Sequence, residues 1–248
     1  MSATMSPRPL SQQTIWITGA AQGLGAGIAR YMAPSGTLLV LFDYDGQGVK
    51  RTAEQCGANA SAIVADLSDA EATDAAIAEA LALSPRVDTV IHNAAILVPK
   101  PFEAVDLGEF SRTLNVGLQA GFQLASAVWR PMLEAGGGTL VFVSSRSGIE
   151  GFDQEAAYCA AKHGLEGFSK SLALEGEPHG ILSVTVTPGM YMKTPMSDRN
   201  YPDELKAKWV DPERLAPAFA YLAANRPAEL SGTRLDAWTL SQSHQIDS

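Results

Sequence analysis

Tyr158 and Lys162 stand four residues apart in the stretch YCAAK, so on a helix their side chains share one face. A free phenol titrates near ~10, too high for a good base at neutral pH. An ammonium beside it favours the phenolate, which makes the pair a candidate general acid/base with its electrostatic tuner. The same spacing also fits a surface aromatic beside a snorkelling lysine. Cys159 points to a different helix face and is not read as a nucleophile. A second group lies near the N-terminus, where Thr18-Gly19-Ala20-Ala21-Gln22-Gly23-Leu24-Gly25 joins an apolar run to a helical pattern. Glycines there let the backbone turn sharply and approach a pyrophosphate, whose charge meets the helix N-terminus. Asp43 follows 18 residues after Gly25, at the end of the next apolar run. A carboxylate in that place accepts both ribose hydroxyls of an adenosine and repels a 2′-phosphate, and neither Gln22 nor Tyr44 offers a cation to such a phosphate. The reading is NAD rather than NADP.

These groups need elements to hold them. Short β-branched or Leu-rich runs at 14–18, 37–43, 61–65, 89–93, 139–144, 182–187 and 233–236 read as strands. Several are nearly continuous apolar runs (LLVLF, LVFV), as parallel strands covered on both faces require. Helical patterns lie between them at 24–33, 69–83, 106–135, 154–176 and 212–224. The second opens on a capping-box pair, Ser68 with Glu71, and the third on Asp106 with Glu109. Strand and helix alternate without a Ser/Gly/Pro-rich linker. The expected fold is α/β: one Rossmann-type doubly wound parallel sheet of about seven strands, helices on both faces, in a single domain over 1–248. Residues 1–13 read as an N-terminal extension and 239–248 as a polar tail. Residues 190–210 fit neither pattern and are too long for a tight turn.

Composition narrows the function further. The chain has 248 residues, 46% hydrophobic and 18% charged, the balance of a globular protein. A net charge of −9 argues against a nucleic-acid partner held by counterion release. Cys56 and Cys159 form no CxxC pair and imply no disulfide framework. With no signal-peptide pattern and no run of about 18 apolar residues, the expectation is a cytoplasmic protein with no membrane segment and no metal site.

TGxxxGxG (Thr18 to Gly25) together with YxxxK resembles the short-chain dehydrogenase/reductase superfamily, in its single-domain branch of about 250 residues. The resemblance spans 14–238 and implies roles for further positions. Asp66-Leu67 matches the pair that holds the adenine ring. His92-Asn93-Ala94-Ala95 matches the family's NNAG stretch imperfectly, with Asn93 kept and Ala94 along the coenzyme. His92 reads as a buried, hydrogen-bonded strand residue in preference to a catalytic base. Ser145, 13 residues before Tyr158, matches the catalytic serine, with Ser144 as second choice. Asn115 completes the family's Asn-Ser-Tyr-Lys tetrad and would hold a water linking Lys162 to solvent. The resemblance also makes Lys162 a ligand of the nicotinamide ribose. Pro188-Gly189 resembles the PG motif that passes the nicotinamide, and Thr194 is the candidate for gripping the carboxamide or a phosphate, one residue later than in relatives. Leu235-Asp236-Ala237-Trp238 departs from the family's VDGG-like close.

The implied activity is NAD-dependent hydride transfer between a secondary alcohol and its ketone. The alternative is a catalytically weak cofactor-sensing or scaffold protein on the same fold. By resemblance 190–210 is a substrate lid. Its methionines and aromatics (Met190, Tyr191, Met192, Met196, Tyr201, Trp209) suit a cyclic or aromatic-bearing alcohol. The resemblance implies a homotetramer, with a homodimer as the alternative, and the faces expected to pair carry Phe122, Leu124 and Val128 on one helix and Leu165, Phe168 and Leu172 on the other.

Overall fold

The structure, a computed structural model, describes residues 6–244. Seven strands, all parallel, form one sheet in the order β3-β2-β1-β4-β5-β6-β7. They are β1 Thr14–Thr18, β2 Leu38–Asp43, β3 Ala60–Val64, β4 Thr89–His92, β5 Gly138–Val143, β6 Ile181–Thr187 and β7 Arg234–Asp236. Nine α-helices are described: α1 Gly23–Met32, α2 Gly46–Cys56, α3 Ala70–Leu83, α4 Leu107–Leu114, α5 Ala120–Glu134, α6 Ala156–Gly176, α7 Pro195–Asn200, α8 Ala216–Asn225 and α9 Ala237–Ser243. None is long and apolar enough to cross a membrane.

Period-2 alternation divides the strand side chains between two cores. Ile15, Ile17, Leu39 and Leu41 face α1 and α8, and meet Leu24, Ile28, Phe219 and Leu222. Trp16, Val40 and Phe42 face the other way, into Ile77 of α3, Leu124 and Val128 of α5 and Leu165 of α6. Burial of each such Val, Leu or Ile contributes about 1.5–3 kcal/mol. Both faces of the central strands are therefore covered, which is why β1, β2, β4 and β5 are written largely in apolar residues.

Several expectations need correcting. The cap of α3 is Asp69, whose carboxylate accepts from the N–H groups of Glu71 and Ala72, and not Ser68. Asp106 and Glu109 do form a capping box on α4. The helix expected over 106–135 is broken by a π turn at Asn115–Gln119 between α4 and α5. Residues 239–243 are not tail: they belong to α9, where Ser241 is buried, donating to the Leu215 carbonyl and accepting from the Ala218 N–H. Residues 1–5 of the expected extension and 245–248 of the expected tail lie outside the described residues. At the N-terminal ends of the strands, buried Asp88 caps the sheet, accepting from the Thr14 N–H at 3.0 Å. Arg86, Arg8 and Arg226 stand 2.9, 3.3 and 3.6 Å from its carboxylate.

Candidate active site

At the opposite, C-terminal ends of the strands lies a cleft of about 1400 Å³. Pockets for one drug-sized ligand run to roughly 300–1,000 Å³, so there is room for a dinucleotide and a second molecule. Its floor is the turn from β1 into α1. Gly19 has φ +66, and a Cβ there would stand 2.8 Å from Asn93 Nδ2; one on Gly25 would strike the Gly19 carbonyl. Only glycine lets the turn close this tightly under a phosphate.

Asp43 is buried at the end of β2. Its Oδ2 accepts from the Ala21 N–H at 2.9 Å and its Oδ1 from the Asp45 N–H at 3.0 Å. Each oxygen keeps a lone pair for a ribose hydroxyl. Burial pushes its carboxyl above the ordinary value, against the pull of those N–H groups. Asp66 and Leu67 line the same end; the Ser68 N–H holds the Asp66 carboxyl below its usual range, and Arg112 is 3.7 Å away. Gln22, Gly23, Leu24 and Ala94 also face the cleft. A glycine cradle ending in a carboxylate fits an adenine dinucleotide.

Asn93 secures the turn, its amide donating to the carbonyls of Thr18 and Gly19 at 3.1 Å each. Thr18 Oγ1 accepts from the N–H groups of Asn93 and Ala94 and so directs its own proton to His92 Nδ1, 3.0 Å away. That assigns His92 the tautomer protonated on Nε2, which faces the carbonyls of Val116 and Gly117 in the π turn. Burial pushes its pKa down to about 4, so the ring is neutral and works as a strut.

Ser145, Tyr158 and Lys162 come together at the far end. Ser145 caps a short 3-10 turn, Arg146–Gly148, its hydroxyl accepting from the Ser147 N–H at 3.2 Å, and lies on the Tyr158 side of the cleft. Burial pushes the Tyr158 phenol up, Tyr201 and Glu155 push it further, and the Ser145 hydroxyl pulls it back. Lys162 donates to the Val143 carbonyl at 2.6 Å and lies 5.5 Å from the Tyr158 ring centroid. The ammonium is aimed at the backbone, so the lowering expected of the tyrosine is outweighed by burial. Burial also brings Lys162 down to about 8, opposed by Glu166. Asn115 stands apart from these three. It opens the π turn with its amide on the Ser68 carbonyl, 2.9 Å away, and that helix lines the cleft through Arg112 and Val116 instead.

Pro188, Gly189 and Thr194 border the same space. Thr194 is buried, caps α7 through the Ser197 N–H at 3.1 Å, and places its methyl 3.3 Å from where a Gly23 Cβ would be. The 190–210 segment holds α7 and a 3-10 stretch, Asp203–Lys208, and is tied at its base by a bridge between Met192 and Val210. Of two further neighbours of Tyr158, Glu155 has no counterpart in the sequence reading, and Tyr201 was expected only as part of the 190–210 wall. Glu155 accepts from the Ser147 hydroxyl at 2.8 Å, and Tyr201 reaches in from the 190–210 segment with its ring 6.0 Å from Tyr191. Neither occupies a position that a short motif marks.

A family model described as short chain dehydrogenase matches residues 13–205. The D-threitol dehydrogenase of Mycolicibacterium smegmatis is 32% identical over 231 residues, 88% of each chain. The trans-4-hydroxycyclohexanecarboxylate dehydrogenase of Sinomonas cyclohexanicum is 28% identical over 91% of each. Among solved structures, the 3-ketoacyl-(acyl-carrier-protein) reductase of Brucella melitensis complexed with NADH aligns with a TM-score of 0.84 at 27% identity, covering 92% of this chain and 97% of that one. A Beutenbergia cavernae protein carrying NADP at low occupancy aligns at 0.85 and 30% identity, over 94% and 99%. Matched by the family's own model over most of its length, this chain belongs to the short-chain dehydrogenase/reductase family of oxidoreductases acting on CH–OH groups.

Proposed function

We propose that this protein is an NAD(H)-dependent oxidoreductase interconverting a secondary alcohol and its ketone. The observation that carries the reading is one cleft with Asp43 and the glycine turn at one end and Ser145, Tyr158 and Lys162 at the other. The nicotinamide supplies the hydride acceptor or donor. During oxidation Tyr158 takes the hydroxyl proton of the alcohol; during reduction it returns one to the carbonyl oxygen. Ser145 hydrogen-bonds that oxygen. Lys162 holds the nicotinamide ribose, and its charge stabilises the phenolate as it forms. Thr194, over Gly23, holds the pyrophosphate or the carboxamide.

Asp43 supports NAD over NADP, although relatives of this fold carry either coenzyme. Comparing kcat/KM with the two coenzymes tests the choice: a large NAD advantage is expected, and parity or an NADP preference sinks it. Residues 190–210 act as the substrate lid. Met190, Tyr191, Met192, Met196, Tyr201 and Trp209 all line the cleft, and the Sinomonas relative is named for a cyclohexane ring that carries both a hydroxyl and a carboxylate. Cyclohexanol-type substrates should therefore outperform 3-hydroxyacids in kcat/KM; better turnover of the small charged members defeats the assignment.

Assembly as a cytoplasmic homotetramer completes the reading. Leu124, Val128 and Leu165 are ordinary core, so the pairing face reduces to exposed Phe122 with half-buried Phe168 and Leu172. Phe122 and Phe168 lie with ring centroids 6.2 Å apart, across α5 and α6.

A further inference from the structure

Helix α6 takes a third step of four residues: Tyr158, Lys162 and then Glu166 fall on one face. Glu166 is buried at 5% exposure. Its Oε1 accepts from the Ser144 hydroxyl and stands 3.2 Å from Arg234 Nε, while its Oε2 accepts from the Thr185 hydroxyl at 2.7 Å. Arg234 also donates from Nη2 to the Ser145 carbonyl at 3.1 Å. One carboxylate thus joins the ends of β5, β6 and β7 beneath the candidate acid/base group. The turn bearing Ser145 closes onto it, for a Cβ on Gly148 would lie 2.6 Å from Ser144 Oγ and 3.2 Å from Glu166 Oε1.

We propose that Glu166 is a positioning residue for the reaction, fixing the charge of Lys162 and, through Ser144 and Arg234, the seat of Ser145. This rests on the roles given above to Ser145, Tyr158 and Lys162. The groups around Lys162 are Tyr158 and Glu166 from its own helix, the Val143 carbonyl from β5 and neutral His92 from β4, with Arg234 of β7 behind Glu166. Within that set Glu166 is the anion that supports the ammonium, and Arg234 is the cation that blunts it. Removing Glu166's charge makes Lys162 release its proton at lower pH; removing Arg234's makes it hold on to higher pH. A cluster that only cements the fold moves neither.

The experiment is the pH dependence of NADH affinity, read by NADH fluorescence with the full-length protein, for the parent, E166Q, R234Q and the double variant E166Q/R234Q. The ammonium binds the ribose, so affinity falls as pH rises through the Lys162 titration. The expected midpoint drops by about one pH unit in E166Q and rises in R234Q. With E166Q, kcat for ketone reduction should fall about tenfold with little change in the ketone KM. The double variant strands no buried charge, and its midpoint returns toward the parent's. Unmoved midpoints in folded variants overturn the proposal, and so does failure of all three to fold, which makes the cluster a folding element. Shifted midpoints without turnover of any alcohol or ketone reject the proposed activity while leaving Glu166's role standing.

Discussion

In the proposed reaction Tyr158 has to lose a proton from a site that resists it. Burial raises its phenol while Ser145 and a charged Lys162 are the groups able to stabilise the anion. Tyr158→Phe should keep the fold and NADH binding and lose kcat by about 10²–10⁴, the usual worth of a general acid/base; residual activity within tenfold rejects it. Lys162 sets a pH window of its own. Its ammonium is fully present below its value of about 8 and lost above it, so ketone reduction should fade on the alkaline side. A kcat/KM profile flat from pH 7 to beyond 9 contradicts that. At the coenzyme's other end, Asp43→Ser removes the charge a 2′-phosphate would meet and should narrow the NAD preference. These residues were readable because each sits in a local motif: YxxxK within one helix, the glycines within one turn. Glu166 and Arg234 were not, since their contact joins α6 to β7 and no local spacing betrays it. Nor could the sequence tell that the Lys162 ammonium would point at a backbone carbonyl.

The strands were legible almost to their ends because a sheet covered on both faces must be written in continuous apolar runs. Helices were less so. α2 reads GQGVKRTAEQC, two glycines among polar residues, and holds through its Asp45 cap and the burial of Val49. α7 and α9 are too short to show a period. The π turn was invisible, because Asn115–Gln119 keeps the apolar rhythm of the helix around it. An inserted residue of this kind is absorbed locally. Deleting one residue within 116–118 should therefore be tolerated better than a deletion anywhere in α5, at the expense of the carbonyls that face His92. Thermal melts of a deletion series across 112–130 would show it, and equal losses at every position would refute it. The turn into α1 has no such latitude: Gly25→Ala drives a methyl against the Gly19 carbonyl and should abolish NADH binding, which a fluorescence titration detects.

For the molecule entire, assembly and fastening can be tested apart. Light scattering at micromolar concentration should give four times the 26.2 kDa chain mass, and Phe122→Lys should lower it; a monomeric parent overturns the tetramer. Asp88 belongs to the N-terminal rim of the sheet, beside the start of β1. Asp88→Asn strands buried Arg226 and should lower stability by about 3–5 kcal/mol, roughly 10 °C in Tm, while the surviving folded fraction keeps its kcat. The carboxylate that binds the three arginines and the tyrosine proposed to move the proton sit at opposite rims of one sheet. Substitutions at the two rims should then leave different fingerprints in a library scored for both abundance and turnover. At the arginine rim the two scores fall together; at the cleft rim turnover falls alone. With 190–210 in the proposed lid role, a lineage can rewrite what this protein acts on, residue by residue along that segment, while the clasp at the other end stays shut.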